Sequence, residues 1–274
     1  MFHRPRRLSI MQAAIRSLLL VLLLLPQTLK AEGPSALRLC YQLQDHPPFT
    51  LPANNAQAPG PGILLELIQA AATQAGLTID WQRQPWKRCI LALQRGDVDG
   101  IFPTIWQAER DTWGQFPGRD PQTGQPVQRQ YRLWQVDYPI ATRRDTHLSW
   151  DGQRFTNLKY GLSSPLGYLT HQRLAELGAL ASVSLQPDKG LQLVASGRLD
   201  GFVIERNISL ALIAQLHLQE QLQLLPQPLL QADWHLPLSH TFYQHHPQLA
   251  VRFWQALGQQ REAREAELRQ RYMP

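Results

Sequence analysis

The residues of this chain that could do chemistry are few and dispersed. Asp200 and Glu205 flank an apolar run, Gly201-Phe-Val-Ile204. Burial of either carboxylate would raise its pKa toward the range of a general acid. The segment Gly161-Leu-Ser-Ser-Pro-Leu-Gly-Tyr168 precedes a helical stretch and is rich in small residues. Its backbone N–H groups could hold an anionic group at the helix N-terminus, or it is a plain strand-to-helix turn. Arg110 stands on a polar loop, and Trp86 beside Lys87-Arg88 makes an aromatic–basic triplet. There are two cysteines, Cys40 and Cys89. In an oxidising compartment that even count favours one bridge, the alternative being two buried thiols. Such a bridge would contribute roughly 4 kcal/mol through loop closure. His235, His240, His245 and His246 are close in sequence but do not share one helical face, so they do not form a metal motif. Zinc His-Glu-x-x-His, phosphate-loop and Gly-x-Ser-x-Gly motifs are missing, and no cofactor is expected.

The elements that must position these groups are marked by a phrase that occurs twice. Arg95-Gly-Asp-Val-Asp-Gly-Ile-Phe-Pro-Thr104 is echoed by Ser196-Gly-Arg-Leu-Asp-Gly-Phe-Val-Ile-Glu205, an offset of 101 residues. Each copy follows a short apolar helix, stops it on glycine, and re-enters a strand through an Asp-Gly corner. Two such units predict two α/β lobes, and a ligand cleft between them.

Residues 1–31 read as a cleaved secretory signal peptide. Arg4, Arg6, Arg7 and Arg16 lead an apolar run, Ser17–Leu25, that is too short for a stable span, and Ala31 closes a processing site. These residues carry five Lys/Arg and no acid, so the formal +6 falls to +1 without them. A basic nucleic-acid face therefore loses its support. The expectation is a soluble periplasmic protein.

Periodicity predicts strand 37–41, a proline-rich loop, helix 63–75, strand 77–81 and helix 86–95, then the first copy of the phrase. Residues 106–135 are mostly loop, and 134–142 is an extended crossover. A second series follows: strand 158–162, helix 168–177, strand 181–185, helix 188–195 and the second copy. Asn207 then reads as the N-cap of helix 208–216. A second crossover, 222–230, leads to a long helix, 247–272.

With that order in view, Gly62-Ile-Leu-Leu-Glu-Leu67 resembles the opening of the first helix in extracytoplasmic solute-binding proteins of family 3, the polar amino-acid type. The two Gly-x-x-Asp-Gly phrases, Gln107-Ala-Glu-Arg110, the Pro-Pro-Phe loop and the closing helix fit the same family. The resemblance implies a two-lobed type II periplasmic binding-protein fold, each lobe a mostly parallel sheet flanked by helices, joined by two hinge crossovers. Lobe 1 would be 32–136 plus 232–274, and lobe 2 would be 137–231. Two departures stand out. The family's Phe-Ser-x-Pro-Tyr hinge is replaced by Gln115-Phe-Pro-Gly118 and a polar insertion, and Gln107 stands where a hydroxyl residue is usual.

Carried over by this resemblance, Arg110 would clamp a ligand carboxylate with its planar fork, and Asp200 would accept from the ammonium. Phe49, Thr104, Trp106, Ser164, Gly167 and Tyr168 would complete the binding site. The function implied is a monomeric receptor that closes over a small polar solute, an amino acid or related compound, and presents it to an ABC permease. Two alternatives remain on the same fold: a periplasmic dehydratase-like enzyme, and a sensor that docks on a separate membrane protein.

Overall fold

The structure, a computed structural model, describes residues 1, 36–52, 58–183 and 185–273. The expected leader, Met1 apart, lies outside the described residues. Strand β1 (Ala36–Gln42) runs between β2 (Thr78–Gln84) and β3 (Gly100–Phe102), parallel to both. Parallel neighbours need helical crossovers, and these are α1 (Ile63–Gln74) and α2 (Trp86–Arg95). Helix α1 buries Ile63, Leu64, Leu67, Ile68 and Ala71, an apolar stripe at helical spacing. Helix α2 stops on Gly96, whose φ of 75° a side chain would resist. Cys40 of β1 and Cys89 of α2 are joined in a disulfide, the open question of the sequence now answered.

The chain then passes through β4 (Thr104–Ile105), a 3-10 turn (Ala108–Thr112), a loop with a second such turn (Arg129–Tyr131), and β5 (Trp134–Tyr138). A second sheet follows, built from β6 (Ile140–Arg143), β9 (Leu162–Ser163), β10 (Gly201–Val203) and β11 (Leu222–Leu224). A small hairpin, β7 (Ser149–Trp150) with β8 (Phe155–Thr156), precedes β9. Helices α3 (Leu169–Glu176), α4 (Pro187–Ala195) and α5 (Arg206–Gln215) accompany this sheet. Strand β12 (Leu230–His235) returns antiparallel to both β5 and β4, so the two crossovers are hydrogen-bonded to each other. Helices α6 (His240–His245) and α7 (Pro247–Tyr272) close the chain, and α7 packs on α1. The expected lobe limits fall within β5 and β12.

Both copies of the repeated phrase fold alike. The Asp99 N–H donates to the Arg38 carbonyl at 2.8 Å, and the Asp99 carboxylate accepts from the Arg38 N–H at 2.8 Å. The Asp200 N–H donates to the Gly161 carbonyl at 3.0 Å, and its carboxylate accepts from the Gly161 N–H at 2.8 Å. Each aspartate thus staples the neighbouring parallel strand at its start.

Three local expectations change. The strand expected at 158–162 is confined to Leu162–Ser163, because the amides of Lys159, Tyr160 and Gly161 turn toward the Asp200 carboxylate instead of a ladder. The strand expected at 181–185 reduces, among its described residues, to a single bridge just before it, Leu162 to Leu180. Helix α5 is capped by Glu205 rather than Asn207, since the longer side chain reaches back to two N–H groups of the first turn.

Among the described residues, no helix is long and apolar enough to cross a membrane.

Candidate functional site

Parallel strands of α/β sheets present ligands at their carboxyl ends, a rule that bears here on the pair β9–β10, since β4 and β5 run antiparallel to β12. Arg110 follows β4, Tyr138 ends β5, Tyr168 follows β9, and Glu205 follows β10. They meet electrostatically at the Tyr138 hydroxyl. Burial pushes that phenol well above its usual pKa; Glu205 and Tyr168 push it further, while the Trp234 indole and Arg110 oppose them. The hydroxyl accepts the Trp234 indole N–H at 3.1 Å, which fixes it at the junction of the two crossovers.

Arg110 is half-buried, and burial pulls its guanidinium below its usual pKa. One Nη1 hydrogen bond goes to the Ile105 carbonyl at 2.8 Å, and the guanidinium lies over the Trp113 ring. Among the described residues it has no carboxylate within ion-pair distance. A desolvated cation without a counter-charge is costly unless an anion arrives.

Glu205 is the opposite case, a carboxylate only 2% exposed. Burial raises its pKa to about 7, against the pull of the Ile208 and Asn207 N–H groups and of the Asn207 amide. The cap bonds measure 2.8 Å to the Asn207 N–H and 3.1 Å to the Ile208 N–H. No arginine or lysine among the described residues makes an ion pair with it.

Of the residues expected at the site, Trp106 is half-buried beside the Arg110 loop, its indole N–H donating to Asp111 Oδ1 at 3.0 Å. Tyr168, 37% exposed, stands at the N-cap position of α3 without a side-chain cap bond. Ser164 is buried, its hydroxyl bonded to that of Thr170. Gly167 has a φ of 84° and open space where a Cβ would stand. Thr104 is buried opposite His235, and its hydroxyl has no hydrogen-bond partner among the described residues.

Two expectations need correction. Phe49 is fully buried, edge-on to Trp234 and Trp134, so it is core and has no face left for a ligand. The Asp200 carboxylate already accepts three backbone N–H groups, from Lys159, Tyr160 and Gly161. It lines a groove of about 610 Å³ with Arg143, His147 and Lys159, at the start of its strand rather than the end. Like its twin Asp99, it is engaged by the backbone of the neighbouring strand.

No protein-family model matches the chain, and no curated protein matches it. Solved structures do. A histidine kinase sensor domain with similarity to periplasmic binding proteins aligns with a TM-score of 0.65 at 21% identity, covering 88% of this chain and 96% of that one. An ancestral arginine-binding protein bound to arginine gives 0.65 at 16% identity, covering 88% and 99%. The substrate-binding protein of an amino-acid ABC transporter gives 0.61 at 14%, covering 86% and 98%. This chain has the two-lobed periplasmic binding-protein fold.

Within that fold, the sequence reading passed over Tyr138, Trp113 and Asp111, and considered Glu205 only as a catalytic acid. A usable signal existed for Glu205. It is the first polar residue after an apolar strand and stands directly before a helix, at the carboxyl end of a parallel strand, where α/β sheets present ligands.

Proposed function

We propose that this protein is a soluble periplasmic receptor for a small solute carrying both an anionic and a cationic group, an amino acid or a close relative. The observation that carries the reading is a pair of desolvated ionisable groups, Arg110 and Glu205, neither in an ion pair among the described residues and both acting on one buried hydroxyl without bonding to each other. A zwitterion satisfies both at once: its carboxylate meets the Arg110 fork and its ammonium meets Glu205. Trp106 and Tyr168 would flank the body of the solute, with Thr104 and the Ser164–Gly167 loop beside it. Lobe 1 (32–136 plus 232–274) and lobe 2 (137–231) would close about β5 and β12. The protein would act as a monomer and deliver its cargo to an ABC permease.

The likeness to a kinase sensor domain favours a second destination, in which a separate membrane sensor reads the closed form. Cells lacking this protein separate the two: lost uptake of the cargo supports transport, whereas intact uptake with a lost response supports sensing.

The direct test is a thermal-shift panel of amino acids, polyamines, di-acids and prephenate-like compounds, run on the wild type, Arg110→Ala and Glu205→Gln. A ligand that binds only the folded state raises the midpoint. The expected result is a rise with one amino-acid class that both substitutions abolish. Turnover of a panel compound would point instead to the dehydratase-like alternative. An unchanged response in Arg110→Ala would refute the carboxylate clamp.

A further inference from the structure

The polar insertion after Arg110 is built into the fold rather than draped over it. Gln115 and Leu238 exchange backbone hydrogen bonds of 2.7 and 3.0 Å, which dock the start of the insertion beside β12. The loop then closes on itself. The Asp120 carboxylate accepts from the N–H groups of Gln122 and Thr123 at 2.9 and 2.8 Å, and the Asp120 N–H donates to the Gln125 carbonyl at 2.8 Å. This closed loop carries one long cation back toward the site. Arg119 Nη2 donates to Asp111 Oδ2 at 2.7 Å, and the other oxygen of the same carboxylate takes the Trp106 indole N–H at 3.0 Å. The backbone carbonyl of Asp111 is held as well, 2.8 Å from His240 Nε2. Gly124 keeps space for this contact. Its φ is 73°, and a Cβ there would stand 2.6 Å from Arg119 Nη2 and 3.0 Å from Asp111 Oδ2.

We infer that Arg119 is a positioning residue for the binding site, acting through Asp111 to fix the Trp106 ring and the short turn that carries Arg110. This rests on the reading of Arg110 as an anion clamp. The physical reason is geometric. Trp106 has a single polar atom, and Asp111, the neighbour of Arg110, holds it. Without Arg119 that carboxylate can swing out to water, leaving both the indole and the 3-10 turn less defined. The insertion thereby supplies a brace at the place where the family that the sequence resembles has a short hinge motif. It acts on the aromatic wall, so it sets which solutes fit as well as how tightly they bind.

The experiment uses the whole protein labelled with nitrogen-15, in wild-type, Arg119→Gln, Arg119→Lys and Trp106→Phe forms. Trp106→Phe identifies the Trp106 indole N–H resonance by its loss. The expected result for Arg119→Gln without amino acids is a displaced, faster-exchanging indole resonance and an almost unchanged melting midpoint. In thermal-shift titrations with an equimolar mixture of the twenty standard amino acids, Arg119→Gln should need about tenfold more to reach the wild-type shift. Arg119→Lys, which keeps the charge, should recover part of both effects. An indole resonance unmoved by Arg119→Gln overturns the inference, whatever the titration shows. If the mixture shifts neither the wild type nor Arg110→Ala, the binding reading fails, and the indole resonance still decides the brace.

Discussion

The Arg110 guanidinium lies over the indole of Trp113, its Cζ 4.9 Å from the ring centroid. Trp113 in turn packs against the small core around Cys40 and Cys89. The proposed anion-binding group therefore rests on an aromatic platform, which rests on the core around the disulfide. A desolvated stack of this kind contributes about 1–2 kcal/mol. Trp113→Leu is expected to weaken binding about tenfold, the affinity equivalent of that energy. Trp113→Phe should keep most of the affinity, because a phenyl face still supports the cation. Calorimetric titration of the three proteins checks the order; equal affinities would remove the platform from the account.

The disulfide predicts an effect on stability first and on binding second. Its cysteines are 49 residues apart, and closing such a loop limits the unfolded chain by roughly 4 kcal/mol. The Cys40→Ser/Cys89→Ser protein should unfold at markedly lower denaturant. Its remaining folded fraction should also bind more weakly, since Trp113 loses part of its support. Denaturant curves with and without a reducing agent give the first quantity. Identical midpoints would mean that the bridge contributes little.

The two strongly shifted groups act oppositely on stability. Glu205 is held near 7 by burial, above its unfolded 4.5. Between those values the folded form keeps a proton that the unfolded chain has released, so stability falls as pH rises through this window. His235 is depressed to about 4 by burial, below its unfolded 6.5, with Asp233 and Thr104 pulling the other way. There the unfolded chain takes up the proton, so stability falls as pH drops from 6.5 toward 4. From 4.5 to 6.5 the slopes cancel, and the wild-type melting midpoint should be nearly flat. Glu205→Gln should make the midpoint rise with pH over that range, and His235→Gln should make it fall.

Binding of a cationic group adds to this, because it needs ionised Glu205. Affinity should drop about tenfold per unit as pH falls below 7, the slope expected when one proton is released on binding. Calorimetry in buffers of different ionisation enthalpy would detect that proton. A pH-independent affinity would remove Glu205 from the ammonium site.

The architecture was legible in the sequence because its markers are local. Gly96 and Gly197 end helices, the Asp-Gly corners begin strands, and the α1 and α7 stripes follow helical spacing. The site was less legible. The resemblance places Asp200 at the ammonium, whereas its twin in the repeat, Asp99, points to a structural role, and both aspartates do bind backbone. Glu205, at the far end of the same strand, carries no such mark; the Tyr138 hydroxyl it acts on comes from β5, far away in sequence. Phe49 stands in the expected site as an aromatic wall under the resemblance, but Trp134 and Trp234 of the crossovers enclose it. Arg119 lay in an insertion whose composition says only loop.

One more relationship ties the first of the described helices to the last. The Glu66 carboxylate of α1 accepts from Arg264 at 2.8 Å, Arg271 at 2.6 Å and the Tyr272 hydroxyl at 2.5 Å. Burial works against its ionisation, but Tyr272 and the two arginines together hold its pKa below the usual carboxylate value. A depressed carboxylate contributes stability above its unfolded pKa and loses it as pH falls through the folded one. The same tyrosine hydroxyl takes the Gly62 N–H at 3.3 Å, at the start of α1. Gly62 cannot be replaced cheaply: its φ is 114°, and a Cβ would lie 2.5 Å from the Phe49 carbonyl oxygen. Because the arginines remain partly hydrated, Glu66→Gln should cost about 2 kcal/mol rather than the larger value of a fully buried network. Tyr272→Phe should cost about 2 kcal/mol, since it removes both hydrogen bonds of the hydroxyl, to Glu66 and from Gly62. Both substitutions lie on the α1–α7 contact, so they should lower the melting midpoint while leaving amino-acid affinity unchanged. A loss of affinity at unchanged stability would mean that this junction communicates with the cleft rather than simply holding the terminal helix in place.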